Sequence, residues 1–273
     1  MPDRNIGARD EAFDAGYQCM WRAFRQGSRA AIFSWSSHSQ DQIMEANPPQ
    51  KTVLLIGASR GLGLAMAEEY LKRGWRVIAT ARAHSTQRLC ELRGALEVEV
   101  LDITVAQQVE DLRARLAGRR LDVLFVNAGV KNDDRETIAD VSTDEFVRVM
   151  VTNSLSPMRV VEAFHDLVKP SGTIGVMSSG QGSLTNNVNG NYEVYRGSKA
   201  ALNMFMRSFA ARHADDPRTL LLMAPGWVRT DMGGPEARLS IEESIPNLLD
   251  TMEAYEGRSG LHYLDYLGRV VPW

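Results

Sequence analysis

The sequence predicts an α/β fold: one doubly wound parallel sheet with helices on both faces. Three observations carry this. Strand-like apolar runs alternate with helical patterns from Lys51 onward, and that alternation means a parallel sheet covered on both sides. The first run, residues 52–56, ends directly in glycine, the mark of a buried parallel strand. A glycine-rich turn, Gly57-Ala-Ser-Arg-Gly61-Leu-Gly63, then joins that run to the first helical pattern.

The elements follow in order. Residues 52–56 form the first strand, and 62–73 a helix closed by Gly74. Residues 76–80 are the second strand, 85–93 a helix, and 96–101 an alternating third strand. A helix over 104–116 has Thr104 as its N-cap, and 121–126 is the fourth strand. Residues 143–167 read as one long helix bent at Pro157. A strand over 172–177, a long helix over 192–213 and a strand over 219–224 continue the rhythm. A helix over 241–252 and a short strand over 260–263 close it. Together these make a single Rossmann-type domain over residues 51–273.

The first 50 residues stand apart as an N-terminal extension. They lack the apolar core of a secretory signal, and Asp3, Asp10, Glu11 and Asp14 count against an organelle presequence. Phe13, Tyr17, Met20, Trp21 and Phe24 fall at helical spacing. The segment is therefore expected to be either a poorly ordered tail or a short helix. Met44, ahead of Asn47-Pro48-Pro49, offers an alternative start that intact-mass measurement would settle.

Composition narrows the function. The chain has 273 residues, 44% hydrophobic and 24% charged, enough apolar material for a sizeable core. A net charge of −3 without a basic block gives no reason to expect a nucleic-acid partner. No apolar run is long enough to span a bilayer. Cys19 and Cys90 make neither a metal spacing nor a disulfide framework, which suits a reducing compartment, so a cytoplasmic location is expected.

The glycine turn implies a dinucleotide site. Glycines let the backbone approach a pyrophosphate, and a helix N-terminus offers free N–H groups and a positive dipole. The spacing is GxxxGxG with no Gly-Lys-Ser/Thr, so a nucleoside-triphosphate loop is not expected. An acid at the end of the second strand would bond a ribose 2′-hydroxyl, whereas arginine suits a 2′-phosphate. That strand ends Thr80-Ala81-Arg82, and Arg60 lies inside the glycine turn. The reading is NADP(H), with NAD(H) possible; the alternative is that both arginines are ordinary surface residues.

Tyr195-Arg-Gly-Ser-Lys199 puts a phenol and an ammonium one helical turn apart. A nearby cation stabilises phenolate, which suits tyrosine to acid–base work. Alone the pair is weak. It is joined here by the glycine turn, by Asn127-Ala-Gly129 after the fourth strand, by Ser178-Ser179 after the fifth and by Pro225-Gly226 after the sixth. With this ordered set the chain resembles the short-chain dehydrogenase/reductase family over residues 51–273. The stretches Tyr195-Arg-Gly-Ser-Lys-Ala-Ala-Leu-Asn203 and Ala224-Pro-Gly-Trp-Val-Arg-Thr-Asp-Met-Gly-Gly234, with the closing Pro272-Trp273, resemble its C-factor and sniffer-like carbonyl reductase branch.

The resemblance implies roles. Tyr195 would be the general acid in carbonyl reduction and the base in alcohol oxidation. Lys199 would bind the nicotinamide ribose and lower the tyrosine pKa. Ser179 would donate to the substrate oxygen, with Ser178 as the lesser candidate. Asn153 would hold a relay water. Asp102 would bond the adenine amino group, with a helix-capping role as the alternative. Gly57, Ser59, Arg60, Gly61, Leu62, Gly63, Arg82, Ile103, Asn127, Ala128 and Gly129 would line the cofactor cleft. Pro225, Gly226, Val228 and Thr230 would complete it. The partners implied are a small carbonyl or alcohol substrate and further copies of the chain, as a homodimer or homotetramer built on the two long helices.

Four features remain. Asn186, Asn187, Asn189 and Asn191 are turn residues that could also line a substrate entrance. Residues 230–240, with Gly233, Gly234 and Pro235, could form a lid with Trp227 and Met232 on its apolar side. His165 and His213 read as structural or surface residues, since no metal-ligand spacing or G-x-S-x-G turn accompanies them. The competing function class is a non-catalytic NADP(H)-binding regulator on the same fold.

Overall fold

A computed structural model describes residues 50–273. The expectations for the extension (tail or short helix, start at Met44) fall on residues outside that span.

Seven strands form one sheet: β1 (Thr52–Ile56), β2 (Arg76–Ala81), β3 (Leu96–Val100), β4 (Leu121–Val126), β5 (Val168–Met177), β6 (Thr219–Ala224) and β7 (Gly260–Asp265). Their order is β3-β2-β1-β4-β5-β6-β7, and each neighbouring pair is parallel. The helices are α1 (Gly61–Lys72), α2 (Gln87–Glu91), α3 (Ala106–Arg115), α4 (Thr143–Met150), α5 (Ser156–Phe164), α6 (Glu193–Arg212) and α7 (Ile241–Ala254). Strand order reverses between β1 and β4. In an open parallel sheet the ligand crevice lies at such a switch point, beyond the carboxyl ends of the strands.

The core is two layers because side chains alternate across a strand. Leu54 and Ile56 of β1 face a layer with Leu112, Val160, Phe164 and Phe209. Val53 and Leu55 face the other, with Met66, Tyr70, Leu248 and Met252. Leu54 pairs with Ile78 on one side and Leu124 on the other, and a one-residue slip would exchange the two layers. Phe164 is fully buried, so Phe164→Ala would cost about 3–5 kcal/mol.

Two expectations are corrected. Helix α3 starts at Ala106 with Val105 at its N-cap and no side-chain cap. Thr104 instead gives its N–H and hydroxyl to Asp102 Oδ1, at 2.9 and 2.6 Å, closing a turn one residue earlier. The long helix over 143–167 is interrupted by a π turn at Val151–Leu155, where the Ser156 N–H reaches the Val151 carbonyl. Pro157 has no N–H for the carbonyl of Asn153, so regular α pairing cannot continue through this point, and the wider turn takes up the defect. In addition, Cys90 is disulfide-bonded, against the expectation of no bridge, so it gives no support for a reducing compartment.

Candidate active site

The glycine turn is shaped by contacts that exclude side chains. Gly57 has φ +85°, and a Cβ there would lie 2.8 Å from Ala128. A Cβ on Gly63 would lie 2.2 Å from the Gly57 oxygen and 2.6 Å from Asn127 Nδ2, so Gly63 lets α1 pack against the turn. The turn is fastened from both neighbouring strands. The Gly57 N–H donates to Thr80 Oγ1 at 3.0 Å, and Asn127 Nδ2 donates to the Gly57 carbonyl at 2.8 Å. Gly61, at φ +54°, has only Thr230 within 4 Å of a Cβ, at 3.7 Å. Helix α1 begins there with no acid in its first turn and no side-chain cap. Its N–H groups therefore face an open cradle suited to a pyrophosphate.

The loops after β1 and β2 carry exposed positive charge. Arg82 follows β2 and is exposed; its carbonyl accepts from the Ser85 N–H at 2.8 Å, and its guanidinium makes no hydrogen bond or ion pair with the described residues. Arg60 is the N-cap of α1 and meets Asp231 at 3.1 Å in an exposed pair. Such pairs contribute about 0–1 kcal/mol, so Arg60 is readily released to another anion. Asp102 lies in the loop after β3, two residues beyond its end, with Oδ1 committed to Thr104; it caps its own loop rather than α3. Ile103 beside it is buried.

A cluster of polar side chains is assembled from α6, the π turn and the loops after β4 and β5. Lys199 on α6 is buried, and its Nζ donates to the Met177 carbonyl at 2.8 Å. Burial without a paired anion pulls its pKa down to about 8. Asn153, in the π turn, accepts from the Val130 N–H at 2.8 Å and donates to the Val130 carbonyl at 2.8 Å and to Ser198 Oγ at 2.9 Å. A Cβ on Gly129 would sit 3.4 Å from Asn153 Oδ1 and 3.5 Å from Lys199 Nζ. Glycine there leaves a gap between the two polar groups, on the loop after β4.

Tyr195 lies on the first turn of α6, with its ring centroid 5.9 Å from Lys199 Nζ. Burial pushes its phenol up to about 12, and Ser179 acts in the opposite direction. Ser179 Oγ accepts from the Gln181 N–H at 3.2 Å, which leaves its proton free to be donated. Ser178 differs: it is buried and its hydroxyl is spent on Asn203 Oδ1. Pro225, Gly226, Val228 and Thr230 follow β6; the Pro225 carbonyl is held by Ser244 at 2.7 Å, and Thr230 Oγ1 accepts from the Gly233 N–H at 3.0 Å.

The glycine turn, Asn127–Gly129 and Ser179 thus follow the carboxyl ends of the central strands β1, β4 and β5, and the contacts join Asn153, Tyr195 and Lys199 to them. A family model for short chain dehydrogenase matches residues 51–238. The chain belongs to the short-chain dehydrogenase family. A short-chain dehydrogenase/reductase of Burkholderia multivorans with bound NADP is 57% identical, with TM-score 0.78 over 82% of this chain and 100% of that one. The C-signal of Myxococcus xanthus is 35% identical over 56% of this chain and 93% of its own length. The carbonyl reductase Sniffer of D. melanogaster is 26% identical, with TM-score 0.71 over 82% of this chain and 100% of that one. This dehydrogenase is thus an oxidoreductase for CH–OH and C=O groups, in the C-factor and sniffer-like branch.

Several residues of the dehydrogenase site escaped the sequence reading. Thr80 holds the glycine turn, and its only signal is a hydroxyl at the end of a buried apolar strand. Ser198 links the Asn153 side chain to the Tyr195 carbonyl at 2.7 Å. Tyr263 on β7 donates its hydroxyl to the Ser179 carbonyl. Neither has a sequence signal, because each acts through a partner remote in the chain. The 230–240 loop is closed on its own base: Val228 bridges Leu239, and Trp227 Nε1 donates to the Gly233 carbonyl at 2.8 Å.

Proposed function

We propose that this short-chain dehydrogenase reduces a small carbonyl compound with NADPH, with Tyr195 as proton donor. The observation that carries the reading is the free Ser179 hydroxyl beside Tyr195, with buried Lys199 behind the same ring.

The cofactor fits the residues present. The open cradle at Gly61, the α1 N-terminus and the Gly57 contacts suit its pyrophosphate. Arg82 and Arg60 suit the 2′-phosphate, as bidentate donors with no competing acid on β2. Asp102 and Ile103 would flank the adenine, and Lys199 with Asn127–Gly129 the nicotinamide ribose. The bound cofactor supplies the hydride for the carbonyl carbon.

The chain's own groups then handle the oxygen. Negative charge develops on it, and donors already aimed at it are the main source of stabilisation. Ser179 donates a hydrogen bond. Tyr195 donates and then yields its proton, and its raised pKa keeps that proton in place at neutral pH. The Lys199 ammonium offsets the phenolate that results. Asn153, across the Gly129 gap from Lys199, would hold the water through which, by way of the lysine, a proton returns to the Tyr195 phenolate.

The working partner is a second copy of the chain. Val147, Leu155, Met204 and Phe205 are exposed apolar residues near or on α4 and α6, and Leu155 and Phe205 line a groove of about 580 Å³ together with Met158. No helix among the described residues is long and apolar enough to cross a membrane; a cytoplasmic location belongs to this proposal. NAD(H) is the lesser cofactor under it. Nothing among the described residues favours the non-catalytic alternative. The test is a calorimetric titration with NADPH and NADH separately, followed by a carbonyl screen. NADPH binding much tighter than NADH, with turnover of at least one ketone or aldehyde, is expected; binding of neither cofactor ends the reading.

A further inference from the structure

We propose that Trp273 is a positioning residue for the reaction, one that fixes both the segment leading into Tyr195 and the tyrosine that holds Ser179. The proposal rests on the catalytic reading of Ser179 and Tyr195 given above.

The tail reaches the site by doubling back along β7. The Asp265 N–H donates to the Arg269 carbonyl at 2.8 Å, Leu264 bridges Val270, and the Val271 N–H donates to the Tyr263 carbonyl at 2.9 Å. This delivers Trp273 to the segment after β5. Its main-chain oxygen accepts from the Thr185 N–H at 3.0 Å, from Thr185 Oγ1 at 2.7 Å and from Ser183 Oγ at 3.4 Å. Its ring lies between two partners, Tyr263 at 5.5 Å and the Arg207 guanidinium at 5.0 Å from its centroid.

Each contact has a consequence at the site. Residues 184–191 are exposed throughout, with Leu184 at 76% and Val188 at 82%. Apolar burial therefore cannot hold this segment, and the Trp273 oxygen anchors its start. The segment ends at Tyr192, the one described non-glycine residue with a left-handed backbone, φ 61°, directly before α6. A bulky residue persists in that conformation only where its surroundings determine it. Tyr195 follows three positions later. On its other side, the Trp273 ring packs on Tyr263, whose hydroxyl donates to the Ser179 carbonyl. One residue thus bears on the main chain beside both reacting side chains, without touching the reacting atoms.

The experiment uses the full chain with Trp273→Ala, Trp273→Phe and Tyr263→Phe. It reads amide hydrogen exchange over 183–192, NADPH affinity by calorimetry, and kcat and KM for a ketone that the wild type reduces. In Trp273→Ala the main-chain oxygen stays but the ring contacts to Tyr263 and Arg207 that seat it are lost, so the contact opens locally and exchange at the Thr185 amide should rise at least about tenfold. The value of kcat should fall roughly 10- to 100-fold, the scale of a small misplacement of reacting groups. NADPH affinity should stay within about twofold, since the glycine turn is remote from the tail. Trp273→Phe should recover most of kcat, and Tyr263→Phe should lower kcat without raising exchange at Thr185. Unchanged exchange in Trp273→Ala overturns the anchor whatever the activity. Equal losses of kcat and NADPH affinity also overturn it, because they indicate general collapse. If the wild type reduces no carbonyl while the exchange difference stands, the catalytic reading fails and the positioning role fails with it.

Discussion

The Ser178 hydroxyl donates to the Asn203 carboxamide oxygen across 2.6 Å, and this bond divides the labour of two adjacent serines. Asn203 passes the link on, donating to the Gly182 carbonyl at 3.2 Å. Ser178 therefore holds the turn, while under the proposed reaction Ser179 would give its hydrogen bond to substrate. Ser179→Ala should lower kcat/KM for carbonyl reduction roughly 100- to 1,000-fold, the usual loss for one donor to a developing oxyanion. Ser178→Ala should leave the chemistry largely intact and cost about 1–3 kcal/mol of stability, because it strands a buried acceptor. Steady-state kinetics and denaturant unfolding of both variants decide this. Equal kinetic losses in the two would end the division of roles.

Tyr195→Phe removes the proton that the proposed reduction transfers to the substrate oxygen. The expected loss in kcat is roughly 100- to 10,000-fold, with NADPH affinity retained. Single-turnover oxidation of bound NADPH by a ketone, followed optically, is the measurement. A variant with wild-type turnover would require a different acid.

Lys199 adds a pH signature. Burial has brought its pKa down to about 8, while the Tyr195 phenol stands at about 12. As pH rises through about 8, Lys199 loses its charge first, and with it the support for a tyrosine that must give up a proton. Reduction should therefore hold steady below about 8 and decline above it. Lys199→Arg, which keeps its charge at any accessible pH, should have a lower maximum and an alkaline decline displaced upward. A decline at the same pH in both proteins would mean that another group sets it.

The fold was legible because local and long-range signals agree. The apolar runs of β1, β4 and β6 are short and end at glycine, asparagine or proline, so their boundaries are those expected from sequence. The glycine turn and the Tyr195–Lys199 spacing are local patterns tied to one loop and one helix turn. The π turn was hidden because Pro157 signals a defect without saying how the helix absorbs it. Thr104 has the side chain of an N-cap, but Asp102, two residues upstream, takes its N–H and hydroxyl. The Tyr263–Ser179 and Trp273–Thr185 contacts join residues 84 and 88 positions apart. Side-chain chemistry at either end does not advertise such a pairing.

Cofactor choice follows from the end of β2. The Arg82 guanidinium has no partner among the described residues, and that of Arg60 has only the exposed Asp231. A charge-assisted bond to phosphate is worth about 1.5–3 kcal/mol, so Arg82→Ala should weaken NADPH binding roughly 10- to 100-fold. NADH binding should change little, because that cofactor has no 2′-phosphate to lose. Arg60→Ala should show the same asymmetry, less any gain from freeing Asp231. Calorimetry with each cofactor gives the ratio directly. A parallel loss for both cofactors would locate these arginines at the pyrophosphate instead.

The second-copy proposal can be separated from the chemistry. Phe205 is exposed on α6, on the wall of the groove that also contains Leu155 and Met158. Arg212 and Glu162 form an ion pair at the same groove, which gives an apolar centre a charged margin. That is the ordinary layout of a surface meant to be covered. Phe205→Glu puts a charge at the centre, where an unpaired buried charge is costly. It should convert the assembly to monomers by light scattering, while the isolated chain keeps its melting temperature within a few degrees, since a side chain already in water has little packing to lose. Cofactor affinity should survive, because the glycine turn lies on other elements of the sheet. An unchanged assembly mass would exclude this face as the interface. A monomeric wild type would remove the oligomer and leave the reductase reading standing.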